Sequence, residues 1–285
     1  MTSLRANTPS SLHKPPQPTA ARMPATPFFN TDCFGRLRHA AYDATTGRVV
    51  ATDSASQMVW VIGADGYSAS VIDGGFNFPD GVAVDSQGRI IVADRLNHRI
   101  KVFGPDLEEI LQFGTKGISH GRFNEPAGVA ISPLDDSIIV ADYGNHRVQV
   151  FSRDGEFAEA FGDEGGGDGE FRGPAAVAVD AQGRVYVAED GGRRVQVFDG
   201  AGTVVRRIGG LRMPHGVAVD ADGAVYITED DGNRRSYRVL RPDSEYTHHP
   251  LEHHPVGVFV RDGRAHVCTG PRITVQALPQ RSKLG

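Results

Sequence analysis

Apolar and polar positions alternate in short runs along most of the chain, and the runs break at polar-glycine turns. In one stretch Val82–Asp85 reads as a strand closed by the turn Ser86-Gln87-Gly88. Arg89–Ala93 reads as a second strand, Arg95-Leu96-Asn97-His98 as a loop, Arg99–Phe103 as a third strand and Ile110–Phe113 as a ragged fourth. Strands this short, with turns this close, leave no room for crossover helices. The sheets are therefore expected to be antiparallel and the fold free of helix.

The pattern recurs. FPDGVAVDSQGRIIVADRLNHRIKVF, EPAGVAISPLDDSIIVADYGNHRVQVF and GPAAVAVDAQGRVYVAEDGGRRVQVF superpose, and MPHGVAVDADGAVYITEDDGNRRSYRVL follows throughout. HPVGVFVRDGRAHVCTG is an eroded copy and RHAAYDATTGRVVATDSASQMVWVI a first one, which makes six. The aligned prolines Pro79, Pro126, Pro174, Pro214 and Pro255 stand 47, 48, 40 and 41 residues apart, with Leu37 in the same place in the first copy. That period suits one four-stranded blade, so the chain is expected to be an all-β, six-bladed β-propeller of four-stranded antiparallel blades.

The motif PxGVAVD, then VAD, then NHR followed by Val or Ile and a phenylalanine, resembles the NHL repeat over roughly residues 37–278. The resemblance implies a recognition propeller, and RNA is a ligand of some members. The sixth copy ends at Ile273–Leu278 after three strands. The segment Phe28–Phe34 ends in Phe34-Gly35, as Phe113-Gly114 and Phe161-Gly162 end outer strands, and is expected to close blade 6 as its outer strand. Residues 27–279 then form the propeller and 280–285 a tail. Residues 1–26, rich in proline, serine and threonine, are expected to be disordered.

The net charge of −5 over 285 residues excludes a globally basic nucleic-acid footprint, although residues 1–31 carry Arg5, Lys14 and Arg22 and no acid. No run approaches the length of a membrane span, and two cysteines are too few for a disulfide framework. A soluble, cytoplasmic protein is expected. Cys33 and Cys268 would lie two strand steps apart in blade 6, about 9 Å or more, beyond disulfide reach.

The residues after the aligned prolines, Arg38, Asp80, Ala127, Ala175, His215 and Val256, are expected around the channel mouth, with Arg38, Asp80 and His215 as ligand-binding candidates. Asp53, Asp94, Asp142, Glu189, Glu229 and Thr269 end the second strand of each copy. A carboxylate repeated there is expected to accept from its own turn and pair with the turn arginines Arg99, Arg147, Arg194 and Arg235, rather than to form a cation-binding ring. Arg95, Arg122, Arg172, Arg193, Arg212 and Arg234 do not repeat and fall on the same loop face, without interleaved aromatic residues.

His215 is also a candidate catalyst. With His253 and His254, and with His248 and His249 nearby, it is a candidate ligand for zinc or another divalent ion such as calcium. The segment MPHGVAVDADGAVYITED resembles a blade of the peptide-amidating lyases, in which histidines from three blades bind zinc. Here Asp80, Ala127, Ala175 and Val256 hold the equivalent places, which argues against that activity. Gly165–Gly169 lacks a following Lys-Ser/Thr and reads as a flexible connection, not a phosphate loop.

The leading expectation is a recognition scaffold that binds a protein or small molecule on its loop face. The alternatives are a metal-assisted lyase or hydrolase at the channel mouth and an RNA-binding propeller.

Overall fold

The computed structural model describes residues 34–242 and 246–276, and within them six antiparallel sheets follow one another along the chain. Blade 2 shows the plan: strand a is Pro79–Val84, b is Ile90–Asp94, c is Arg99–Phe103 and d is Glu109–Phe113. Blades 1, 3, 4 and 5 repeat it, starting at Leu37, Pro126, Pro174 and Pro214, while blade 6 has three described strands, Val258–Arg261, Arg264–Cys268 and Ile273–Gln276. Of the closing segment Phe28–Phe34, all but Phe34 lies outside the described residues, as do Cys33, residues 1–26 and the tail 280–285. Cys268 itself is buried, which pushes its thiol up to about 12.

The strands form because their residues are apolar on both faces, each face meeting a neighbouring blade. In strand b of blade 2, Ile90 and Val92 pack with Val50 and Val59 of blade 1, while Ile91 and Ala93 pack with Val129, Ile138 and Val140 of blade 3. Six such clusters alternate with the blades. The last joins Leu37, Val49 and Ile62 of blade 1 to Phe259, Cys268 and Ile273 of blade 6, so the ring closes through side-chain packing. The a strands line the axis, and Gly81 and Gly128 permit close approach, since a Cβ at Gly81 would lie 2.4 Å from the Ala127 carbonyl oxygen. Away from the loop face the channel is lined by apolar a-strand residues such as Val84, Ile131, Val179 and Val219.

Strand a begins at its proline and ends before Asp85, slightly earlier than the sequence pattern suggests, because Asp85 turns out of the sheet. Its Oδ1 accepts from the Gln87 and Arg89 N–H groups. The b–c loops of blades 2 and 3 contain single 3₁₀ turns, Arg95–Asn97 and Tyr143–Asn145, each ended by a left-handed histidine. These are the local departures from an all-strand reading.

The acid that ends strand b is structural. Asp142 has no exposed surface and accepts from the Asn124 N–H (2.8 Å), Asn145 Nδ2 (2.8 Å), Arg147 Nε (2.8 Å) and Gln149 Nε2 (3.0 Å). It ties the incoming d–a connection to the b–c loop and strand c. Asp94 and Glu189 do the same with Arg99 and Arg194.

Blade 5 differs. Its b–c loop is longer, Ser236 stands opposite Glu229 where arginine stands in blades 2, 3 and 4, and Arg238 from farther along strand c reaches Glu229 at 2.5 Å. Arg235, expected to repeat the structural role, is displaced to the surface by that insertion.

Removal of a stitching acid leaves several buried donors unpaired. Asp142→Ala should therefore destabilise the protein by about 3–5 kcal/mol in urea unfolding, with Asp142→Asn recovering part of the loss. In blade 6 His266 stacks on Phe259 at 4.7 Å, and burial, with Arg261 adding, lowers its pKa to about 4. The unfolded chain then takes up its proton first, at about pH 6.5, so this part of the stability is lost as pH falls from there toward 4. The urea midpoint should drop between pH 7 and 5 more steeply in the wild type than in His266→Phe.

Candidate functional site

Because Pro79 pairs with Asp94, the start of strand a and the b–c loop share one face, and three side-chain positions per blade converge at the channel mouth there. The position after the proline supplies Arg38, Asp80, Ala127, Ala175, His215 and Val256. The one before it supplies Arg36, Phe78, Glu125, Gly173, Met213 and His254, and the one after the stitching residue supplies Ser54, Arg95, Tyr143, Asp190, Asp230 and Gly270. The framework repeats while these residues vary.

On blades 1 to 4 the variable residues satisfy one another. Asp80 is 1% exposed and meets Arg38 Nε at 3.0 Å, Arg95 Nη1 at 3.0 Å and His39 Nδ1 at 3.1 Å. Burial opposes its ionisation, yet the Arg38 charge and the His39 hydrogen bond hold its carboxyl well below the usual range. Arg95 also bonds Glu125 and lies over the Tyr143 ring at 4.6 Å, and the Tyr143 hydroxyl donates to Asp190 at 3.2 Å. Phe78 packs beneath both guanidinium groups. Phe78, Glu125 and Met213 adopt left-handed backbone (φ 57°, 56° and 46°), a conformation such side chains seldom take.

Blades 5, 6 and 1 instead enclose an open cleft of about 470 Å³, lined among others by Arg36, Arg38, His215, Arg235, His253 and His254. No Asp or Glu is in its described wall. Asp230, 2% exposed, lies behind it and is ion-paired with His254, which is itself 62% exposed; Arg235 Nε stands 3.7 Å from the same carboxylate. Burial lowers the His215 pKa, partly offset by Asp190.

Residues 76–103 and 123–151, the greater part of blades 2 and 3, match the family model described as NHL repeat. NHL repeats thus build most of blades 2 and 3 of the six-bladed propeller. Two curated proteins match over short stretches: the RING finger protein nhl-1 of Caenorhabditis elegans, 39% identical over 62 residues, and Protein brain tumor of Drosophila melanogaster, 43% identical over 61. Those stretches cover 22% and 21% of this chain and about 6% of each relative's own length. Among solved structures the propeller resembles a gluconolactonase from Xanthomonas campestris (TM-score 0.68, 18% identity, 87% of this chain and 88% of that one). It also resembles virginiamycin B lyase from Staphylococcus aureus (TM-score 0.63, 13% identity, 89% and 87%). At these identities the likeness is one of fold.

Of the expected ligand-binding residues, Arg38 and His215 line the propeller's channel-mouth cleft, and Asp80 sits behind Arg38 as its counter-charge. His215, His253 and His254 share the cleft wall, yet among the described residues no three His, Cys, Asp or Glu side chains are placed to hold a metal ion. His248 and His249 belong to outer strand Thr247–Pro250, where His249 stacks on Tyr237. The candidate zinc or calcium ligands are therefore not gathered into one cluster among the described residues.

The glycine run Gly165–Gly169 is tied down: carbonyls of Gly166 and Gly167 accept from Arg194 at 2.8 and 2.9 Å. Sequence reasoning missed His39, Tyr143, Asp190 and Asp230. Aligning the residue after each stitching acid would have exposed the last three.

Asp80 neutralises two guanidinium groups in a buried place, so Asp80→Asn should cost about 3 kcal/mol of unfolding free energy. Arg38→Gln should cost less in that background than alone, a coupling that a double-mutant cycle in urea would measure.

Proposed function

We propose that the protein is a recognition scaffold that receives an anionic group of a small-molecule or protein partner in the channel-mouth cleft. One observation carries this reading: three arginines and three histidines line a cleft whose described wall contains no carboxylate. The cleft lies where blades 5, 6 and 1 meet beside the network around Asp80, walled by cationic side chains whose counter-charges, Asp80 and Asp230, are buried behind them. Arg38 is presented by Asp80, and Arg36 is exposed at the rim. A carboxylate or phosphate entering the cleft would meet preoriented guanidinium donors.

A second reading, a hydrolase or lyase, draws on the Asp230–His254 pair, in which a buried carboxylate orients an exposed imidazole beside the cleft, the arrangement of a general base. The gluconolactonase and virginiamycin B lyase of like fold give that reading support by analogy.

Citrate serves as a compact anionic probe. Isothermal titration should show one site per chain, weakened about five-fold or more by Arg36→Ala and by His215→Ala, each worth roughly 1 kcal/mol. Absence of binding by both citrate and inorganic phosphate would overturn the scaffold reading. Hydrolysis of p-nitrophenyl acetate should be equal in wild type and His254→Ala, whereas a rate dependent on His254 would favour the enzyme.

A further inference from the structure

The channel-mouth cleft does not end at the channel. A second cleft of about 480 Å³ lies on the rim of blade 5, lined by Arg212, Arg234, Arg235 and His248 among others. Arg235 belongs to the walls of both. A third cleft, of about 390 Å³, shares His253 and Thr269 with the channel-mouth cleft and Pro250 and Leu251 with the rim cleft. The three thus adjoin around the segment Leu251–His254, with Glu252 as an acid in the wall of the third, and together outline a groove.

The groove exists because blade 5 breaks the repeat. In blades 2, 3 and 4 the b–c arginine is consumed by the stitching acid. In blade 5 Arg238 takes that place, and the longer loop sets Arg234 and Arg235 at the surface. Arg234 is exposed and forms no ion pair among the described residues. Arg212, 46% exposed, shares Asp231 with the loop's own N–H groups. The positive field is felt by His248, whose pKa is lowered by burial and by the charges of Arg238, Arg212 and Arg234.

We propose that this groove binds an acidic peptide segment of a partner protein, running from the channel mouth over Arg235 to Arg212, Arg234 and His248. The inference rests on the channel-mouth reading and names the chemistry of the partner. A chain of carboxylates spaced along an extended backbone matches guanidinium groups spaced along a groove. A small anion would use one end of it. Single-stranded nucleic acid fits less well, because base stacking needs free aromatic faces, and the exposed ring here, Tyr246, already carries the Arg238 guanidinium at 4.9 Å.

The test is fluorescence anisotropy of the full chain with fluorescein-labelled hexaglutamate, hexaglutamine and hexauridylate, beside the citrate titration. Hexaglutamate should bind about ten-fold more tightly than citrate and lose about ten-fold in the double variant Arg212→Ala/Arg234→Ala, a change of roughly 1.4 kcal/mol. The same variant should leave citrate binding unchanged, which also shows that it is folded. Hexaglutamine binding as tightly as hexaglutamate, or an unaltered double variant, would overturn the peptide proposal while citrate binding keeps the channel-mouth reading. Tighter binding of hexauridylate would replace the peptide by RNA. Failure of citrate and hexaglutamate together would remove both.

Discussion

A single buried carboxylate at the end of strand b holds each of the regular blades together. It gathers an N–H from the chain arriving from the previous blade, an amide or guanidinium from its own b–c loop and another from strand c, as Asp142 does with Asn124, Asn145, Arg147 and Gln149. A buried charge is tolerated only when so surrounded. Because the stitch fixes the entry of strand a and the start of strand c together, the side chains between them are aimed at the channel mouth whatever their identity. The framework can stay constant while the site varies.

That separation explains the asymmetry of the loop face. Around Asp80 a set of charges and rings joins blades 1 to 4, its carboxylates and guanidinium groups paired within the set. On blade 5 the stitch survives in altered form, with Arg238 in place of the usual arginine, and the displaced side chains become surface. The clefts gather on blades 5, 6 and 1, where the regular pattern has been relaxed. The apolar packing between blades 6 and 1 keeps the ring shut beneath them.

Much of the fold was legible because period-two alternation and the spacing of the prolines are local and repeat. Pro79, Pro126, Pro174 and Pro214 each begin a strand a, in blade 2 three residues ahead of the expected start at Val82, and the recurrence of the acids alone marks them as structural. The site was less legible. Arg38, Asp80 and His215 are found because they follow an aligned proline or, for Arg38, the leucine in its place, but their roles depend on partners distant in the chain, as Asp80 is for Arg38, which sequence proximity does not reveal. Arg235 was misplaced because a longer loop shifts the register of strand c without breaking its apolar alternation. The histidines of Thr247–Pro250 looked like neighbours of His254 in the chain, yet an outer strand carries them away from the cleft.

The left-handed residues before the prolines carry a consequence for how such a surface changes over time. Glycine is the residue that backbone prefers, and blade 4 has it at Gly173. At Phe78, Glu125 and Met213 a side chain is kept against that preference, at a cost of order 1 kcal/mol or more each. Drift toward glycine would relax the backbone and, at the same step, remove the Phe78 ring from Arg38 and Arg95 and the Glu125 carboxylate from Arg95, so at these positions the surface can lose its identity in a single change.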